Sequence, residues 1–167
     1  RKKITRRTKA IIPVHIYGHP AEMDEIMAIA RKHSLIVIED AAQSPGIKYK
    51  GKYTGTFGHM GVFSLNCHKI IQVGEGGVVT TNDKELAGRL RLIRNHAEAV
   101  IATGMKAKNL TNMIGWNYRM NEIEAAIARE QLKKLHYLIE QRSELVFYLT
   151  EKLKKYAGLI TPTIRKG

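Results

Sequence analysis

A chain of 167 residues that is 44% hydrophobic, with only four prolines, can bury a core and lies outside the compositions of disordered polymers. Its net charge of +13 raises nucleic-acid binding, but six of the first nine residues are Lys or Arg and the rest of the excess is scattered; with no zinc-finger, RNP or helix-turn-helix pattern, no nucleic-acid partner is expected. No apolar run approaches the roughly 20 residues of a membrane span and no apolar core of a secretory signal follows the basic start, so no membrane partner is expected.

Residues 1–9 read as a basic lead-in, and because Arg1 is not a start methionine an N-terminal segment is expected to precede it. Ala10 to His15 reads as a short buried strand, although Pro13 counts against a central one. Tyr17-Gly18-His19-Pro20 reads as a turn. Pro20 suits the first turn of a helix, with Glu22, Asp24 and Glu25 at its positive end and Met23, Ile26, Met27 and Ala30 along one face. Leu35 to Glu39 is the next strand, which completes a βαβ unit with a right-handed crossover. Residues 45–59 have no period and read as a loop.

Met60 to Leu65 is a third strand, and Val78 to Thr81 a fourth, short and antiparallel. Asn82, with Glu85 three residues on, can cap a helix striped by Leu86, Leu90 and Ile93. His96 to Met113 reads as a loop. Between Gly115 and Gly158, apolar residues from Ile123 to Leu153 recur at helical spacing, as one very long helix or two in succession; a coiled-coil seam would look the same. The alternation of strands and helices makes the fold class α/β.

The stretch from Phe63 to Thr81 organises the chain. An apolar strand breaks into polar residues, Lys69, and the glycines 74, 76 and 77, which allow close approach to a ligand. The strand before it ends in Glu39 and Asp40, and open α/β sheets bind ligands at such strand ends. Taken singly, Lys69 is also a solvated loop lysine, Asp40 a cap or surface turn, Ser64 an ordinary strand serine and Asn117 a turn residue. Glu75, between glycines, reads as a brace for the lysine loop. Cys67, the single cysteine, excludes an internal disulfide framework, reads as a structural thiol, and fits a reducing, cytoplasmic setting. No His-x-x-x-His spacing is present and no metal is expected.

Together these stretches resemble the DegT/DnrJ/EryC1/StrS family of sugar aminotransferases, which use pyridoxal 5'-phosphate (PLP). The resemblance runs from about Thr8 to about Ala157. It is carried by Pro-Val-His-Ile-Tyr-Gly at 13–18, Glu-Asp-Ala-Ala-Gln at 39–43, Phe-Ser with Lys five residues after the serine at 63–69, Gly-Glu-Gly-Gly at 74–77, Arg-Asn-His at 94–96 and Asn-Tyr-Arg-Met at 117–120. It implies that residues 1–120 are part of a large cofactor-binding domain, a mostly parallel sheet with flanking helices. Residues 121–157 would be a long helix leading toward a small C-terminal domain, and 158–167 a tail.

By the same resemblance Lys69 is the Schiff-base lysine and Asp40 the partner of the pyridine nitrogen. Ala42 lies under the ring, Gln43 contacts the ring hydroxyl and Ser64 holds the phosphate. Asn117 reaches the phosphate of a neighbouring subunit's cofactor, which implies a homodimer. The implied reaction moves an amino group, from glutamate, to the keto group of a nucleotide-linked sugar. The family's earlier segment, with a phosphate-binding turn and a stacking aromatic, and its C-terminal domain lie outside these 167 residues. Asn66-Cys67-His68 is not the commonest family wording before the lysine. Three other readings stand beside this one: the related dehydratase, which Lys69 argues against because that enzyme has histidine there; an inert remnant that binds a partner through the long helix; and a basic nucleic-acid binder.

Overall fold

The computed structural model describes residues 3–98 and 113–163. Four strands form one sheet in the order β1 (Ala10–Ile11), β2 (Ile36–Asp40), β5 (Met60–Ser64), β6 (Gly77–Thr80). The first three run parallel and β6 returns antiparallel. The expected α/β class and mixed, mostly parallel sheet are what the chain forms.

Helix α1 (Met23–Lys32) makes the β1–β2 crossover. It buries Met23 and Ala30 against Leu35 and Val37, with Ile11, Ile26 and Met27 packed around them. Its start lies three residues beyond Pro20, and His19 and Pro20 stay in the connection. The strand expected over residues 10–15 is only two residues long. Past Pro13 the chain still follows β2, but in single steps: Asp40 N–H donates to Pro13 O at 2.9 Å and His15 N–H donates to Asp40 O at 3.0 Å.

Residues 45–59, expected to be irregular, contain a hairpin of β3 (Lys48–Tyr49) and β4 (Lys52–Tyr53). Its turn residues Lys50 and Gly51 both have positive φ, 48° and 82°, the geometry that suits a two-residue connection to strand twist. Helix α2 (Lys84–Arg94) is capped by Asp83, not by Asn82: its carboxylate accepts from the N–H groups of Glu85 and Leu86. The apolar stretch after residue 120 is two helices in succession, α3 (Glu122–Lys133) and α4 (Leu135–Leu153), with only Lys134 between them. Asn121 and Glu124 form a reciprocal capping box that sets the start of α3. Leu135 packs with Leu65 and Ile71 in a second core cluster, so the helices are docked on the loop that follows β5. Of the stretch 96–113, residues 99–112 lie outside the described residues.

The two faces of the sheet differ. Glu39 pairs with Gly61 and Gly61 with Thr80, so these three form one row across β2, β5 and β6. Residues 54–58 cross directly over that row. Thr80 Oγ1 donates to Gly55 O at 2.8 Å, and a Cβ on Gly61 would lie 2.2 Å from the same oxygen. Gly61→Ala is therefore expected to force the crossing segment away and cost at least about 2 kcal/mol, measured as a lower urea midpoint. The opposite face carries Asp40, with Ile36, Val62 and Val79 exposed beside it.

Candidate active site at the carboxyl ends of β2 and β5

Parallel pairing of β2 with β5 puts Asp40 opposite Val62, and Ser64 two residues further along the same face. Both strands therefore deliver a polar residue to one end of the sheet. Asp40 is half-buried. Its Oδ1 accepts the Ala42 N–H at 3.1 Å, and among the described residues Oδ2 has no partner. The turn after it is pinned from beneath. Ala41 and Ser44 are buried, Ala41 N–H donates to Val62 O at 2.9 Å, and Thr54 Oγ1 donates to Ser44 O at 2.9 Å. Ala42 and Gln43 are left on the outer side. Gln43 is exposed, and its Oε1 accepts the N–H of Tyr17 at 2.7 Å.

The lysine loop leaves β5 just past Ser64. Leu65, buried, closes its neck: its N–H donates to Gly76 O and its carbonyl accepts from Val73 N–H, each at 2.9 Å. Within the loop Asn66 Nδ2 donates to Glu75 Oε1 at 2.7 Å, so Glu75 does brace it. Asn66 Oδ1 accepts the His68 N–H at 3.0 Å, and the Lys69 N–H closes a turn onto Asn66 O at 2.9 Å. Lys69 is half-buried and Cys67 is exposed, so the thiol is not part of the core. Ser64 Oγ accepts the Asn66 N–H at 3.3 Å.

Asn117 is positioned by other means. The segment 116–118 pairs with the end of α2: Trp116 N–H donates to Ile93 O at 2.7 Å and Tyr118 N–H to Arg94 O at 2.9 Å. Arg119 adds a hydrogen bond to Asn95 Oδ1 at 2.8 Å, and Asn117 itself is exposed. The structure thus brings Asp40, Ala42, Gln43, Ser64 and the Lys69 loop to one sheet end, and holds Asn117 on a separate segment. An apolar hollow between Phe63, Val78, Leu132 and Leu135 opens on the other face of the sheet and reaches Ser64, Leu65 and Ile71 at its edge.

Two polar residues that carried no role in the sequence reading prove central to this end of the sheet. Glu39 and His15 are both 0% exposed. Ala21 N–H donates to His15 Nδ1 at 3.1 Å, so Nε2 carries the proton and donates to Glu39 Oε2 at 3.1 Å. Glu39 also accepts the N–H groups of Gly55, Phe57 and Gly58 at 2.8, 2.6 and 2.7 Å. Burial pushes its pKa up, but the bonds from His15 and from the Gly58, Gly55 and Phe57 amides outweigh that and hold it below the ordinary carboxylate value. A signal was present in the sequence: Glu39 shares the parity of Val37, whose side chain faces the core.

The neighbouring carboxylates are thus unlike. Glu39 is saturated with donors, whereas Asp40, at a strand end, has one oxygen without a partner among the described residues. The profile of the DegT/DnrJ/EryC1/StrS aminotransferase family matches residues 1–167. The chain belongs to this family. GDP-perosamine synthase of Caulobacter vibrioides is 42% identical over 160 residues, which cover 95% of the chain and 41% of that enzyme. A dTDP-3-amino-3,4,6-trideoxy-alpha-D-glucose transaminase of Streptomyces venezuelae is 40% identical, over 95% of the chain and 39% of the enzyme.

Among solved structures, the aminotransferase PseC of Helicobacter pylori, involved in pseudaminic acid biosynthesis, superposes with a TM-score of 0.82 at 35% identity, over 93% of the chain and 41% of PseC. The E. coli GDP-4-keto-6-deoxy-D-mannose-3-dehydratase with bound hydrated PLP gives a TM-score of 0.80 at 33% identity, over 93% of the chain and 43% of the dehydratase. The chain therefore spans about two fifths of the relatives it matches. Among the described residues of this DegT/DnrJ/EryC1/StrS family member, no helix is long and apolar enough to cross a membrane.

Proposed function

We propose that the protein carrying this chain is a PLP-dependent aminotransferase that moves an amino group from glutamate to the keto group of a nucleotide-linked sugar. The observation that carries the reading is the arrangement of Asp40, with Oδ2 uncommitted, beside the strand end from which the Lys69 loop departs. The donor set fits the cofactor: an acid for a ring nitrogen, an alanine that leaves room for a flat ring, an amide for a ring oxygen and a hydroxyl for a phosphate. The names of the relatives, sugar aminotransferases among them, support the same reading.

Bound PLP supplies an electron sink that amino-acid side chains lack. Lys69 Nζ would hold it covalently and move protons at the reacting carbon. Asp40 Oδ2 would keep a proton on the ring nitrogen. Ala42 would lie under the ring, and Ser64 Oγ would donate to the phosphate while accepting the Asn66 N–H. Asn117 would serve the site of a second copy, making the working unit a homodimer in the cytoplasm. Residues 1–120 would belong to the large cofactor domain, with 121–157 leading toward a small C-terminal domain and 158–167 a tail.

The test uses the full-length protein. Reduction with borohydride in the presence of PLP, followed by peptide mapping, is expected to place the pyridoxyl group on Lys69. A label on another lysine rejects the assignment, and no label rejects the cofactor. Asp40→Asn is expected to retain the label but lower kcat by at least about 100-fold, because a neutral ring withdraws electrons poorly.

A further inference from the structure

Glu39 and the segment 13–18 take no part in the chemistry above, yet they are tightly bound to its residues. The ring of His15 joins Glu39 to Ala21, and the backbone of residues 13 and 15 brackets Asp40. Two residues on, Tyr17 has φ 53°, a conformation that costs a non-glycine residue energy, and its side chain is 93% exposed. Packing of the ring does not hold it there. What the conformation delivers is its N–H, aimed at the Gln43 side chain at 2.7 Å. A backbone N–H can only donate, so the Gln43 amide must turn its oxygen to Tyr17 and its NH₂ away.

We infer that residues 13–18, locked by the His15–Glu39 pair, are a positioning element that fixes Gln43 as a hydrogen-bond donor toward the ligand, so that the site selects a ring bearing an anionic oxygen at that point. This rests on the PLP reading, in which the oxygen belongs to the ring hydroxyl. Tyr17 acts through Gln43 and does not itself touch the ring.

The consequence inverts what side-chain size alone would give. Gln43→Glu keeps an oxygen for the Tyr17 N–H but offers the ligand a carboxylate oxygen in place of the NH₂. Gln43→Ala leaves a gap that water can fill. In the full-length protein, the Kd for PLP is expected to rise about 100-fold in Gln43→Glu and only about 10-fold in Gln43→Ala. With 3-deoxypyridoxal 5'-phosphate, which lacks the ring oxygen, the two variants should bind alike.

A second readout needs no cofactor. Hydrogen exchange at the Tyr17 amide should accelerate in Gln43→Ala and stay slow in Gln43→Glu. It should accelerate in His15→Leu and stay close to wild type in His15→Gln, which keeps a donor for Glu39. Equal losses of PLP affinity in the two Gln43 variants, or a difference that persists with the deoxy analogue, overturn the inference while leaving the cofactor reading intact. Failure of the wild type to bind either compound overturns both.

Discussion

Replacing Lys69 with alanine is expected to lower transamination by about 10²–10⁴-fold or more and to abolish covalent attachment of the cofactor, with the urea midpoint unchanged. The loop that carries it does not depend on its side chain. The neck is closed by backbone hydrogen bonds of Leu65 with Gly76 and Val73, and the interior by Asn66 with Glu75 and His68. Loss of Nζ therefore removes a nucleophile and a proton carrier without loosening the turn. Lys69→Arg should be as inactive as the alanine variant, since a guanidinium keeps the charge but does not attack an aldehyde at neutral pH. A small primary amine added to Lys69→Ala should restore part of the rate. Single-turnover measurements with circular dichroism as the folding control decide the matter, and an alanine variant with more than a tenth of wild-type activity would rule out the assigned role.

The largest loss of stability is expected from Glu39→Ala, about 3–5 kcal/mol, set against the 5–15 kcal/mol total of a typical domain. The cost does not come from one ion pair. Truncation strands three backbone N–H groups and the His15 Nε2–H, two of the four bonds being buried and two partly buried, and each unmet donor costs about 1–3 kcal/mol before relaxation. Glu39→Gln should fall in between, because its NH₂ must face donors. Equilibrium urea unfolding measures both.

The same residue sets the acid side of the stability profile. Its folded pKa lies below the ordinary value, so its contribution is complete above the unfolded carboxylate pKa and fades as pH falls through the lowered folded one. The Gln variant should show a flatter acid limb.

Strands β2, β5 and β6 and helices α1 and α2 are legible from the sequence, because each is an apolar run or stripe whose period local physics imposes. The hairpin at 48–53 is not, since two-residue strands of alternating Lys and Tyr offer no period; only the Lys50-Gly51 turn betrays it. Asn82 and Asp83 are chemically near-equal caps, and the choice falls to backbone geometry: Asp83, with φ −86° and ψ 117°, is extended at the helix entry. Lys69, Asp40, Ala42, Gln43 and Ser64 are legible only through motif resemblance, and that Asp40, Ser64 and the start of the Lys69 loop share one end of the sheet follows from parallel pairing. The His15–Glu39 pair links residues 24 apart, and nothing local announces which carboxylate of Glu39-Asp40 will be saturated. That depends on residues 55–58 arriving from a different part of the chain.

The single residue between α3 and α4 makes a lever. Lys134 N–H bonds three residues back, to Gln131 O, while Leu138 N–H already returns to Lys134 O, so the break between the helices is confined to one position. The 19 residues of α4 extend about 28 Å from there. The first turn of α4 is anchored by Leu135, seated against Leu65 and Ile71 at either side of the lysine, with Ile139 packed on the same cluster. A rotation of about 10° at that point would carry the far tip of the helix through about 5 Å, as helix length alone dictates. Any adjustment of the lysine loop that turned α4 about this packing would be enlarged at Leu153, well away from where it began.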